Sequence, residues 1–499
     1  MLHQRGAGVL MHISSLPSPY GIGVFGRHAR DFINRIADMG FTYWQVLPFN
    51  PIDGAGSPYC SPSAFAGNYL FIDPQGLQDM GLVTAEEVAA NHYDGTPYTA
   101  DFAFAGERRL ALLEQAFLRI DDTLAAKIKA FEVENPWLTD YSVFMAVKEA
   151  EGGKPWWQWS DRHAHYHTCI QDIYAYESRA AFWKFVQYIF YLQWGNIKAY
   201  ANGKGVAVLG DMPIYVAMDS ADVWSGLPLF LIDEKTLKPE KVAGVPPDYF
   251  SENGQLWGNP LYNWDAMKAD GFGWWIRRVD GASRLYDVIR IDHFRGFASY
   301  WAVPYGSPTA KTGRWVKGPG LDLLNVLTGW FHGIRFIAED LGEPSPDVTK
   351  LLADSGLPGM RVLEFAFSPT ADSAYLPHNC VENCVCYAGT HDNAPLALWR
   401  QEAEPEEIDF AVQYLGLNER EGFNRGVLRG GMTSPASLFV AQMQDWLELG
   451  EGSRINTPGT GRDNWQWRLL PGELTVKLIG DIREMTRIYG RLPAKQSKT

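Results

Sequence analysis

The residues best placed for chemistry lie in Val288-Ile289-Arg290-Ile291-Asp292-His293-Phe294-Arg295-Gly296, where a β-branched run ends in charge. Arg290 and Asp292 are two apart, so on a strand both point to one face. A neighbouring guanidinium favours the ionised form of a carboxylate and lowers its pKa. That is the setting of a poised nucleophile at a strand exit, and equally of a structural ion pair at a strand end. His293 points to the opposite face. It reaches the same space only if the strand has already broken into loop.

The signature recurs. The run 205–213 carries Asp211 on the face of Leu209; Arg335-Phe336-Ile337-Ala338 leads to Glu339, on the face of Ile337; the run 381–387 leads to Thr390-His391-Asp392-Asn393. Like charges brought together cost free energy, so repeated strand-end carboxylates ask for a functional reason. In a barrel of alternating strands and helices all strand C-termini open on one face, where the catalytic groups gather. Clustered carboxylates with Arg and His suit two chemistries. One is a hard-metal site. The other is retaining glycosyl transfer, between a carboxylate nucleophile and a carboxylic acid roughly 5–5.5 Å apart.

The elements that must position these groups alternate along the chain. Residues 8–13 read as a first strand, 26–39 as a helix with Phe32, Ile33 and Ile36 at helical spacing, and 42–47 as a second strand. The glycines at 21, 23 and 26 imitate a dinucleotide fingerprint, but two prolines and a long loop separate them from the strand, so nucleotide binding is rejected. A Gly/Pro/Ser-rich surface loop holding Ser57 and an exposed Tyr59 follows. Residues 77–167 are helical in pattern, and a long helix over 179–202 leads to the third strand. Residues 244–260, with Tyr249 and Trp257, show no periodicity and read as a flexible lid over a ligand. Further strands are predicted at 360–365 and within 436–447, and a closing amphipathic helix at 474–489. The expected architecture is an α/β fold, a (β/α)8 TIM barrel over 1–499, with mainly helical insertions between early strands. The insertions are an active-site loop at 50–75, a helical subdomain at 76–175, and a segment at 212–275 carrying the flexible loop 244–260.

Composition narrows the partners. A formal charge of -14 repels phosphates and argues against nucleic acid. Aromatic residues make up 14% of the chain, and flat rings outside the core suit sugar C–H faces, which favours the glycosyl chemistry. Five scattered Cys fit a reducing compartment rather than a disulfide framework, and no apolar run suggests a signal peptide or membrane span. His163, His165 and His167 lack a carboxylate or Cys partner at ligand spacing, and Cys380, Cys384 and Cys386 lack a second ligand pair, so neither metal nor cofactor is expected.

The stretches Arg290–Gly296, Ala338–Gly342 and Thr390–Asn393 resemble the catalytic strands of the 4-α-glucanotransferases (amylomaltases, or disproportionating enzymes), relatives of the α-amylases. The loop 246–260, Ser57-Pro58-Tyr59, the run 210–215 and the loop around Asn464-Trp465 are similar to the same family, and the resemblance spans nearly the whole chain. It implies Asp292 as nucleophile, Glu339 as acid/base and Asp392 as transition-state stabiliser. It implies sugar contacts from Ser57, Tyr59, Asp211, Trp257, Arg290, His391 and Asn464. The implied activity is transfer of α-1,4-glucan segments from a maltodextrin to the 4-hydroxyl of another glucan or glucose, through a covalent glycosyl-enzyme. The expected partners are maltooligosaccharides and starch- or glycogen-derived glucans, for a cytoplasmic monomer or weak homodimer. An α-glucan hydrolase with the same carboxylates and a non-catalytic oligosaccharide-binding barrel are the alternatives. Ala394-Pro395 stands where the family carries an acidic residue and Thr, which predicts a different cap on the next helix. Cys60 stands where the family commonly has Gln.

Overall fold

Eight short parallel strands, all drawn from apolar runs, form the centre of the molecule. They are β1 (Gly6–Leu10), β2 (Tyr43–Gln45), β3 (Ala207–Met212), β4 (Val288–Ile291), β5 (Arg335–Ala338), β6 (Gly359–Val362), β7 (Cys384–Tyr387) and β8 (Leu438–Gln442). The computed structural model describes residues 5–247, 251–342 and 345–493. Spatial order follows chain order from β1 to β5, and β1 also pairs with β8, which continues through β7 to β6. The ring closes where Ala338 N–H donates to Pro358 C=O at 2.9 Å and Asp340 Oδ1 accepts from Met360 N–H at 2.7 Å. The chain is thus an α/β barrel.

Strand parity divides the core. Leu10, Leu209, Val288, Ile337, Val385 and Val440 fill the interior, while Val9, Trp44, Val208 and Ile289 pack outward against helices. Full burial of such a side chain contributes about 2 kcal/mol, so the two-residue period fixes which face each strand-end carboxylate takes. Gly210 shows how tight the outer layer is: a Cβ there would fall 2.0 Å from the Tyr286 ring. Only glycine lets that ring pack beneath the start of the β3 exit.

Between β2 and β3 the chain is mainly helical, including Phe102–Phe117, Asp122–Glu134 and Trp137–Ala150, and ends in the long helix Glu177–Gly203. That helix buries an aromatic face with Phe182, Phe185, Phe190 and Trp194. Two buried glutamines on it do a specific task. Gln187 pairs with both the N–H (2.7 Å) and C=O (2.9 Å) of Gly67, and Gln193 with those of Asp73 (2.7 and 3.1 Å). Each side-chain amide imitates a backbone partner, so the segment after β2 is pinned although it contains no strand. His163, one of the alternating histidines, is bound to Glu151 (2.6 Å) and Tyr176 (3.0 Å) in this helical region.

The lid differs from expectation. Lys241–Val245 and Gln255–Pro260 are antiparallel strands, paired Gly244 to Leu256 and Val245 to Gln255. They belong to a four-stranded sheet with Ser299–Pro304 and Arg314–Lys317. The described ends of the 244–260 segment are therefore paired strands of a sheet rather than a loop without regular structure. The alternation was obscured by a register shift between Val242 and Gly244 and by the small or proline residues around it. Tyr249, expected to face a ligand, lies outside the described residues. Among the described residues no helix is long and apolar enough to cross a membrane.

Candidate active site

The C-terminal ends of β3, β4, β5 and β7 bring the predicted carboxylates to one mouth. Asp211 lies directly across from Arg290 in the β3–β4 register, and Ala338 across from Ile291 in the next pair, so Glu339 and Asp292 leave adjacent strands side by side. Backbone bonds continue one residue beyond the ladder: Asp292 N–H donates to Met212 C=O and Glu339 N–H to Ile291 C=O, both at 3.0 Å. The sheet thus holds both carboxylates on rigid backbone.

Arg290 is the electrostatic centre. Its Nη1 lies 2.7 and 2.8 Å from the two oxygens of Asp211 and 2.9 Å from Asp292 Oδ1. Burial opposes its charge, yet Asp211, Asp292 and Glu339 together hold its pKa well above the usual arginine range. Arg290 does pull the Asp292 pKa down, as expected, but the expected net lowering is corrected, because burial outweighs it. Burial raises Asp292 to about 6, because one guanidinium is shared with Asp211, whose charge pushes the same way as burial. Glu339 is raised further, to about 8, by burial and by the Asp292 charge, against Arg290 and the His293 N–H. Its Oε2 accepts from His293 N–H at 2.7 Å and Oε1 from Leu341 N–H at 3.1 Å. The two carboxyls titrate as a pair, and Glu339 is the more strongly raised of the two.

His293 settles its own condition. The strand ends at Ile291 and His293 has φ +49°, so the chain has broken and the imidazole turns toward the mouth. Its ring meets Trp257 edge-on at 4.8 Å, and burial beside Arg295 lowers its pKa to about 4. Trp257, on the outer strand of the hairpin, is 37% exposed and so presents a ring surface above the end of β4.

Tyr59 is less exposed than its loop composition suggests. Its hydroxyl donates to Asp211 Oδ2 (2.8 Å), lies 2.9 Å from His391 Nε2, and its ring stacks on His391 at 5.4 Å. Burial, with Asp211 and Asp292 nearby, raises its pKa well above the usual value. Ser57 shapes the turn: its N–H donates to Asp53 Oδ1, and its Oγ accepts from Tyr59 N–H at 3.3 Å.

Exposure sorts the predicted sugar contacts. The Asp211 side chain is 0% exposed and Arg290 4%, against 26% for Asp292 and 44% for Asp392. Asp211, Arg290 and His391 form a buried layer under the mouth, and Asp292, Asp392, Tyr59 and Trp257 hold its surface. Asn464 departs most from expectation. Its Oδ1 accepts from Thr457 N–H (2.9 Å) and its Nδ2 donates to Thr460 C=O (3.0 Å) and Oγ1 (3.1 Å), so its amide closes the 457–464 loop.

Two residues missed in the sequence hold Asp392. Asn456 Nδ2 donates to Asp392 Oδ1 at 2.6 Å, and Arg454 Nη2 to Asp392 C=O at 2.9 Å. The signal was present, since Arg454 and Asn456 flank apolar Ile455 in the loop after β8. Pro395 precedes the helix Leu396–Glu402 without a side-chain cap, and Asp445, from beyond β8, accepts from Leu396 N–H at 2.8 Å. Cys60 is exposed beside Tyr59.

A buried shared cation, two carboxyls on neighbouring strand ends, and aromatic rings at the rim suit acid-assisted displacement at a sugar carbon. Comparison with known proteins points the same way. Residues 11–474 match the family model of glycoside hydrolase family 77, described as 4-alpha-glucanotransferase. The 4-alpha-glucanotransferase of Clostridium butyricum is 42% identical over 489 residues, covering 96% of this chain and 100% of that protein. That of Thermus thermophilus is 43% identical over 503 residues, covering 98% and 99%. The solved amylomaltase from Streptococcus agalactiae in complex with acarbose is 37% identical, with TM-score 0.95 over 98% of this chain and 100% of that one.

Proposed function

Because this chain belongs to the 4-alpha-glucanotransferase family of glycoside hydrolases, a glycosyl-transferring enzyme acting on α-glucans, we propose that Asp292, Glu339 and Asp392 carry its reaction. Glu339, protonated, gives its proton to the glycosidic oxygen of a maltooligosaccharide donor. Asp292 attacks the anomeric carbon, the bond to the leaving glucan breaks, and a covalent glycosyl-enzyme forms. Asp392 stabilises the oxocarbenium-like charge. The 4-hydroxyl of an acceptor glucan then attacks, Glu339 takes its proton, and the α configuration returns after two inversions.

The observation that carries this reading is geometric: Asp292 and Glu339 leave adjacent strand ends side by side, Asp292 held by Arg290 and Glu339 by the His293 and Leu341 N–H groups, with burial raising Glu339 the further of the two. Tyr59 and Trp257 stack against donor rings, and the hairpin 244–260 excludes water from the glycosyl-enzyme so that a sugar hydroxyl reacts first. Arg290, Asp211 and His391 support the nucleophile and Tyr59 from below, and Ser57 and Asn464 shape their loops. The segments 50–75, 76–175 and 212–275 serve as insertions that build the mouth of one barrel, in a cytoplasmic monomer or weak homodimer.

Product analysis on maltotriose tests the reading. Glucose plus longer maltodextrins, with no net gain of reducing ends, is expected. A net gain of reducing ends without longer products would make the protein a hydrolase instead.

A further inference from the structure

We propose that Glu364 is a positioning residue for the reaction: through Asn393 and Thr390 it sets the orientation in which Asp392 meets the substrate. The inference rests on the role proposed above for Asp392.

Glu364 leaves β6 in a short 3-10 turn, Leu363–Phe365, and its side chain is buried beneath the β7 exit. Its N–H donates to Ala388 C=O at 3.3 Å. Its Oε1 lies against Gly389, where a Cβ would fall 2.4 Å away, and has no hydrogen-bond partner. The Asn393 side chain lies against the same carboxyl group: the Cβ that meets Glu364 at Gly389 would also fall 3.0 Å from Asn393 Cβ, and Asn393 moderates the rise in the Glu364 pKa. Asn393 has one orientation available. Its Oδ1 accepts from Thr390 N–H (2.9 Å) and Thr390 Oγ1 (2.8 Å), which turns its amino group toward Glu364. Thr390 Oγ1 in turn accepts from Asp392 N–H at 3.3 Å. A continuous path therefore runs from the end of β6 to the backbone of Asp392.

Charge makes this arrangement costly. The groups facing Glu364 from neighbouring elements are Asp445 beyond β8, Glu402 on the helix 396–402, and Arg454 in the loop after β8. The one cation among them is also engaged with Glu402 at 3.5 Å and with Asp392 C=O. Burial and Asp445 push the Glu364 carboxyl well above the usual range, and its Oε1 is left without a partner. A buried polar atom without a partner is a stability cost, and one lodged under a reacting carboxylate points to a role there. Glutamine is a near-isostere of this side chain and keeps an oxygen at the same reach.

The test uses steady-state kinetics of the full-length enzyme with an α-maltotriosyl fluoride donor, which leaves slow variants measurable. Glu364→Asp withdraws the acceptor by one methylene and is expected to lower kcat about tenfold with KM unchanged, since a small misplacement at a reacting group is enough. Glu364→Gln restores kcat to within about threefold of the parent. In an Asp392→Ala background Glu364→Asp causes no further loss, because the path ends at Asp392. An unchanged kcat in Glu364→Asp overturns the proposal, as does an equal loss in the Asp392→Ala background. If Glu364→Asp does not fold, Asn393→Ala takes its place with the same expected kcat loss and the same two overturning outcomes. Full activity of Asp392→Ala alone would instead remove the role assigned to Asp392, a result distinguishable from the others.

Discussion

Two buried arginines, Arg290 and Arg491, stand at opposite ends of the barrel and live opposite lives. Both side chains are removed from water. Arg491 lies at the N-terminal end, where it donates to the carbonyls of Met432 (3.0 Å), Gly6 (2.7 Å) and Ser434 (3.1 Å). Arg5 beside it serves Met432, Ser434 and Ala436 in the same way. Burial and the charge of Arg5 lower the Arg491 pKa to about 9. Arg290 lies at the C-terminal end among carboxylates that hold its pKa well above the usual range. One end uses cations to satisfy loose strand-start carbonyls and so closes the chain termini onto the barrel. The other gathers more negative charge than its cation can neutralise, and the surplus appears as the raised pKa of Glu339. The same side chain at similar burial is a structural bolt or a reactive centre according to its acceptors.

The comparison can be broken at its strongest point first. Asp292→Asn is expected to lower kcat by at least about 10⁴-fold while the fold survives, as loss of a covalent nucleophile does elsewhere. Residual transfer above about one part in a hundred of the parent rate would sink the nucleophile assignment, in the same scale of reasoning. Exchanging the arginines one at a time comes next. Arg290→Lys should lower kcat about 10²-fold, since a lysine ammonium does not reproduce the position from which Arg290 Nη1 serves both Asp211 and Asp292. Arg491→Met should leave kcat unchanged at low temperature and cost about 3 kcal/mol in a denaturant titration, through several carbonyls left unpaired. If Arg491→Met lost activity without losing stability, the division between the two ends would be wrong.

The smallest effect is in pH dependence. The proposed roles require Asp292 ionised and Glu339 protonated, so kcat/KM should fall below about pH 6 and above about pH 8. The Glu339 pKa is raised above the ordinary glutamate value of 4.5, so the folded state binds the proton more tightly than the unfolded chain does. Its stabilising contribution is full below pH 4.5 and is lost as pH rises to about 8. Glu339→Gln, which cannot ionise, should therefore gain thermal stability over the parent as pH rises through that window and hold the gain above it. Equal melting temperatures of the two proteins at pH 5 and pH 9 would contradict the raised pKa.

Much of this was legible in the chain. Apolar runs ending in Asp211, Asp292, Glu339 and Asp392 announced both the barrel and its reactive face, because strand parity and the cost of clustered charge are local properties of sequence. Boundaries were less legible. Residues 381–383 read as strand but precede β7, where Glu382 C=O accepts from both Cys384 and Ser437 N–H. The β8 run stops at Gln442 because Asp445 folds back on its N–H and begins a helical turn. Partnerships across strands were not legible. Nothing near Arg290 in sequence says that Asp211, 79 positions away, claims it as well, and that sharing is why burial prevails at Asp292. The alternation of the hairpin was likewise hidden, since strands that pair with a distant Ser299–Pro304 need no strong pattern of their own.

That last pairing bears on how the enzyme can be remodelled. The strand Ser299–Pro304 is the direct continuation of the nucleophile segment, separated from β4 only by a short turn and the helix Arg295–Ala298, and the hairpin hangs on it. Trimming the connection between the hairpin strands leaves the sheet whole. Removing the hairpin bares an edge of backbone donors and acceptors, an invitation to association between molecules, and loosens the tether a few residues from Asp292. A graft that changes product length is therefore best confined to the tip, with the paired strands kept as the frame that carries it.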